Sequence, residues 1–151
     1  MVIKTATGAT AYATAPASGI TVVNDYRWPI EVSANGDLIK IGELAAYHRI
    51  LGAACGVFGL LDSLGKLVET GFDVYIPNDE TDGATDDNTI FPGAGTVEDT
   101  ETFTPFEEHL VAEKIGVAAV NRPIYLKITT APTAPQGAVV VRMATFADQP
   151  Y

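Results

Sequence analysis

Apolar and polar residues alternate most regularly between Arg122 and Phe146 (RPIYLKITTAPTAPQGAVVVRMATF). Ile124, Leu126 and Ile128 alternate with Tyr125, Lys127 and Thr129, and Val139, Val141 and Met143 alternate with Val140, Arg142 and Ala144. A period of two puts each apolar row on one face of a strand. The connection Ala131–Gly137 holds Pro132, Pro135 and Gly137, residues that stop a strand and favour turns. The pattern therefore predicts two strands joined as a hairpin.

The same alternation recurs upstream. Gly19–Val23 is a short apolar run followed by Asn24-Asp25, a turn signal. In Tyr26–Ser33, the residues Tyr26, Trp28, Ile30 and Val32 share a face, opposite Arg27, Pro29, Glu31 and Ser33. Asn35-Gly36 follows, and both positions tolerate positive φ, so a hairpin to Leu38–Ile41 is expected. Pro29 cannot donate to a ladder and belongs at an edge or bulge. Leu44, Tyr47, Leu51 and Ala54 recur at three- and four-residue spacing, predicting a short helix or irregular turn to about Arg49, then a strand through Val57–Leu61. Lys66–Ile76 reads as a strand with Val68, Phe72, Val74 and Ile76 near one face, a bulge at Gly71 and a stop at Pro77. Asn78–Asn88 is a polar acidic loop, Phe91–Gly95 a second turn cluster, and Glu107–Lys114 one or two helical turns. Seven or eight short strands separated by Gly/Pro turns predict an all-β fold, a jelly-roll-like β-sandwich.

Residues 1–18 (MVIKTATGATAYATAPAS) lack both periodicity and bulk. They read either as an extended N-terminal arm packing across a neighbouring subunit or as disorder. The expected organisation is an arm over 1–18 and one β-sandwich domain over 19–151.

Composition narrows the function. A chain of 151 residues buries roughly 70% of the surface its unfolded form exposes, so it needs no metal or disulfide to fold. A net charge of −10 argues against nucleic acid and against an anionic membrane as partner. No run reaches the ~20 apolar residues of a membrane-spanning helix, and Met1–Gly19 has no signal-peptide core. Cys55 is the single cysteine and has apolar neighbours, so it reads as a buried, inert thiol.

Candidate chemistry is thin. In the acidic loop Asn78, Glu80 and Asp82 match the first, third and fifth positions of a calcium loop, but the twelfth is Thr89 where a bidentate Glu is required. His48 and His109 show no spacing that would pair them on a metal. Ser18, Ser33 and Ser63 sit in no nucleophile elbow. Glu107/Glu108 would serve a glycosidase only in a cleft, and Gly93-Ala-Gly95 is too short to cradle phosphate. Tyr26 and Trp28 could stack on a sugar, although sharing a face with Ile30 and Val32 favours core or interface packing. No catalytic residue, metal site or cofactor is predicted, and the chain is not expected to be an enzyme.

From Leu60 onward, VETGFDVYIPND with its polar loop and the closing RPIYLKITTAPTAPQGAVVVRMATF resemble the small capsid decoration, or cement, proteins of tailed bacteriophages. The resemblance covers residues 60–147. It implies a jelly-roll β-sandwich, often a homotrimer, bound on the capsid exterior of the virion at junctions of the major capsid protein after synthesis in the host cytoplasm. It carries no catalytic residues. The expected interface residues are Val2, Ile3 and Tyr12 in the arm, together with Tyr26 and Trp28. The alternatives are a carbohydrate-binding β-sandwich for host attachment, using Tyr26 and Trp28, another head or tail component, and a small β-fold hydrolase.

Overall fold

Where alternation marks a strand, the fold follows; how the strands pair is set by their connections. The computed structural model describes residues 3–5, 21–77, 103–106 and 115–147, and the backbone of 89–97. Among them are ten strands: β1 (Ile3–Thr5), β2 (Thr21–Pro29), β3 (Leu38–Leu44), β4 (His48–Ile50), β5 (Gly56–Leu60), β6 (Thr70–Tyr75), β7 (Thr89–Val97), β8 (Thr104–Pro105), β9 (Arg122–Thr130) and β10 (Ala138–Ala147). One sheet runs β1-β3-β9-β6-β7 and the other β2-β10-β5-β8, with β4 also paired to β10.

The antiparallel pairs are nested: β2 with β10, β3 with β9, β5 with β8, and β6 with β7. This is one long hairpin, with β6–β7 at its tip, folded over on itself into two sheets. β4 and β5 lie end to end along one side of β10, interrupted by a 3-10 turn at Gly52–Ala54. The result is the expected jelly-roll sandwich.

The core is the set of inward rows. Ile124, Leu126 and Ile128 of β9, and Val139, Val141 and Met143 of β10, are all at most 1% exposed. They meet Phe72 and Val74 of β6, Ile39 and Ile41 of β3, and Tyr26 and Trp28 of β2 in one cluster. Cys55 is buried with them, its thiol donating to the Leu51 carbonyl at 3.2 Å.

Both expected hairpins are corners that switch sheets. β2 and β3 lie in opposite sheets, as do β9 and β10. The Asn35-Gly36 turn is present, with Gly36 at φ +89°, but it belongs to an eight-residue connection crossing the sandwich. The alternating rows of β9 and β10 face each other through the core instead of lying side by side. Two connections are laced at this end. Ile30 donates its N–H to the Gly137 carbonyl at 3.0 Å, and Gly36 donates to Ile128 at 2.7 Å. The side-chain carbonyl of Asn35 accepts from the Ala131 N–H at 2.8 Å.

Other local expectations also yield to packing. Asn24-Asp25 continue β2, because Asp25 reaches across to Arg142 of β10 with two bonds of 2.8 and 3.0 Å. Phe91–Gly95 lies inside β7; the register steps from Phe72↔Gly95 to Val74↔Phe91, so the Pro/Gly cluster is a bulge on an edge strand. The helical spacing around Tyr47 gives a turn at Ala46-Tyr47 followed by β4. Val32 is 59% exposed, since β2 ends at Pro29 before its face is set. The bulge at Gly71 appears in the β6–β9 register, and Pro29 closes an edge strand. Residues 78–88 and 107–114 lie outside the described residues.

Candidate functional site

The outer surface of the β1–β3–β9 sheet carries the features that could meet a partner. β1 is a three-residue strand added parallel to the edge of β3, pairing Ile3↔Leu38, Lys4↔Ile39 and Thr5↔Lys40. Ile3 is 59% exposed. Lys4 forms an ion pair with Asp37 at 3.4 Å. Asp37 is buried and accepts from the Ala34 N–H at 3.0 Å, so the carboxylate stands fixed at the entrance to the edge.

Beside this edge lies a groove of about 300 Å³ lined by Lys40, Glu43, Asn121, Pro123 and Tyr125. These residues occupy the face opposite Ile39, Ile124 and Leu126. Lys40 donates to Glu43 at 3.0 Å, which leaves the wall nearly neutral. Asn121 accepts from the Ala46 N–H at 2.9 Å. The Tyr125 ring stacks on Tyr75, with centroids 6.3 Å apart. The groove offers an aromatic ring, a pyrrolidine and polar groups of both signs.

On the outer face of the second sheet, Arg142 lies over Phe58 at 5.4 Å and Phe103 at 5.8 Å from their centroids while paired with Asp25. At the laced end Leu64 is 79% exposed, on a turn held by Asp62, which accepts from the N–H groups of Leu64 and Lys66.

The structure separates the residues expected at an interface. Tyr26 and Trp28 are 4% and 2% exposed, so their rings belong to the chain's own core and offer no platform to a sugar. The Tyr26 hydroxyl donates to the Glu43 carbonyl at 3.0 Å, and burial pushes it up to about 12. The inward row dictates this: Tyr26 and Trp28 alternate on an edge strand, with Ile30 just past its end, and together they cover the core. Ile3 is at the surface on β1, while Val2 and Tyr12 lie outside the described residues. Tyr125, Lys4 and Asp37 were not singled out by sequence. The alternation places Tyr125 only on the polar side of a strand.

The remaining candidates do not converge. His48 is buried with Nδ1 3.0 Å from the Ala46 carbonyl, and His109 and the acidic loop 78–88 lie outside the described residues. No group of three His, Cys, Asp or Glu side chains placed to hold a metal occurs among the described residues. Cys55 is fully buried, and desolvation pushes its thiol up to about 11. Arg122 is buried at the start of β9, donating to the carbonyls of Gly116 at 2.9 Å and Ile115 at 3.4 Å, and desolvation lowers its pKa. It anchors the loop before β9.

The chain is similar to one in the solved structure titled "Capsid of Ralstonia phage GP4". The superposition has a TM-score of 0.62 and covers 91% of this chain and 90% of that one, at 17% sequence identity. At that identity the likeness speaks for the fold, and it extends over the whole sandwich rather than one sheet. No protein-family model and no curated protein matches the chain.

Proposed function

We propose that the chain is a structural protein of a bacteriophage virion, and within that class a decoration or cement protein that binds across neighbouring subunits of the major capsid protein. The observation that carries this reading is the end-to-end fold likeness to a chain from a phage capsid structure. The sequence resemblance over residues 60–147 points the same way independently. A net charge of −10 suits the exterior of a shell, away from packaged nucleic acid. In this reading the chain is made in the host cytoplasm, self-associates as a homotrimer, extends residues 1–18 as an arm, and performs no catalysis.

The test is a phage particle grown with and without the chain. The expected result is release of DNA at lower temperature from particles lacking it, restoration by added protein, and antibody labelling of the outer shell. Labelling of the tail, or particles indifferent to its loss, would defeat the decoration reading and favour another virion position. The groove at Tyr125 supports a second reading, a saccharide-binding module, because an aromatic ring beside paired polar groups suits a sugar. A glycan array with the wild type and Tyr125→Ala tests it: a signal lost in the variant supports it, and silence of both removes it.

A further inference from the structure

We infer that β1 is an exchangeable strand, seated on its own β3 edge in the isolated chain and on the β3 edge of a second copy when copies are packed together. This rests on the structural reading above and adds the acceptor site and the occupant.

Three observations lead there. The first is how little holds β1 in place. It has three residues, its outer two are exposed, and it pairs in parallel, the weaker ladder per residue. Its side-chain tie is the Lys4–Asp37 pair, with the lysine 37% exposed.

The second is that the acceptor is built into the sandwich and does not depend on which chain supplies the strand. Leu38 and Ile39 are fixed by burial, at 3% and 1% exposure. Asp37 is held by its own corner. Leu38–Lys40 present main-chain groups on the side away from β9. An extended segment with a lysine at its centre, in register with Ile39, satisfies that edge.

The third is reach. Residues 6–20 separate β1 from β2. Fully extended, such a stretch spans about 50 Å, whereas packed sheets stand about 10 Å apart. Thr21 begins β2 at the end far from the β2–β3 corner, so closure within one chain also runs along most of that strand, about 25 Å in all, and the connection is about twice as long as closure demands.

Mass action then decides which edge is filled. A tether of that length holds β1 at its own edge with an effective concentration on the order of millimolar. In dilute solution the intrachain position wins. In an assembly the neighbouring edge is present at comparable local concentration, the bonds formed are identical, and exchange is nearly neutral in energy. Each exchange then links two copies.

The test uses the full chain with Thr5→Cys and Lys40→Cys, partners in the ladder. Neighbouring strands place Cα atoms within disulfide range, and the buried Cys55 does not compete. The double variant, oxidised when dilute, is expected to close within one chain. T5C and K40C on separate, differently tagged chains are then oxidised in assembled particles and in purified protein at millimolar concentration. The expected product is a disulfide-linked dimer carrying both tags, with yield reduced severalfold by Lys4→Glu in the T5C chain. Absence of mixed dimers in both settings while the double variant closes internally overturns exchange. Failure of both disulfides overturns the placement of β1. A K4E yield equal to that of its parent removes the ion pair from the mechanism. Should the chain never join particles, the virion reading fails, and exchange is still read from the purified protein.

Discussion

At Gly137 the backbone takes a φ of +81°, and Leu67 together with the Leu60 carbonyl stands where a β-carbon would go. The left-handed conformation costs an L-residue about 1–2 kcal/mol, and forcing atoms into a packed corner about 1–3 kcal/mol more. Gly137→Ala is therefore expected to lower unfolding stability by about 2–5 kcal/mol, read from urea midpoints at unchanged slope. Two buried titratable groups act at alkaline pH. Burial raises Cys55 from 9.0 to about 11 and Tyr26 from 10.0 to about 12. Both lose their protons more readily in the unfolded chain, so the native state binds more protons between those values, and stability falls as pH rises. Their contribution is complete below pH 9 and is lost between about pH 9 and 12. Urea midpoints at pH 8 and pH 11 check the sign. In native protein the thiol is expected to stay silent toward Ellman's reagent at pH 8, reacting on unfolding.

Within β9 the two faces make opposite predictions for neighbouring positions. Leu126 is fully buried, so Leu126→Ala is expected to cost about 2–5 kcal/mol. Lys127, one residue on and facing out, is expected to change stability by less than about 0.5 kcal/mol when replaced by Ala. Chemical denaturation of the two variants side by side measures the contrast. This much of the fold was legible in the sequence: the rows of β6, β9 and β10, the inward face of β2, the edge position of Pro29 and the bulge at Gly71. Strand partners were not. An alternating row says which face of a strand is wet, and the same row serves a hairpin or a corner that crosses the core. The Asn35-Gly36 and Ala131–Gly137 turns are locally indistinguishable from hairpin turns. Tyr26 and Trp28 were visible as a large apolar face, but whether that face met core, neighbour or sugar depended on β10 lying beside them. The groove at Tyr125 had no local sign, because Lys40, Glu43, Asn121 and Tyr125 converge only once β3 pairs with β9.

For the whole molecule, nested pairing means that, among the described strands, β6 and β7 are the one consecutive pair adjacent in a sheet. Every other ladder waits for a distant segment. Folding of such topologies is limited by closing long loops, with rates toward the slow end of the millisecond-to-second range. Refolding by dilution from urea, followed through Trp28 fluorescence, is expected to proceed at about 1 s⁻¹ or slower. A sub-millisecond main phase would contradict this account.

Nested pairing also sets Thr21 opposite Phe146 on adjacent strands, so the sandwich begins where it finishes. Ends that meet in this way invite circular permutation. A chain opened within residues 78–88, with residue 147 joined to residue 21 by a linker of about five residues, keeps every β2–β10 pairing and omits residues 1–20. It is expected to retain the far-ultraviolet spectrum of the sandwich and a buried, blue-shifted Trp28 emission. A permutant that stays unfolded would mean that the β6–β7 tip must be continuous for the rest of the roll to close.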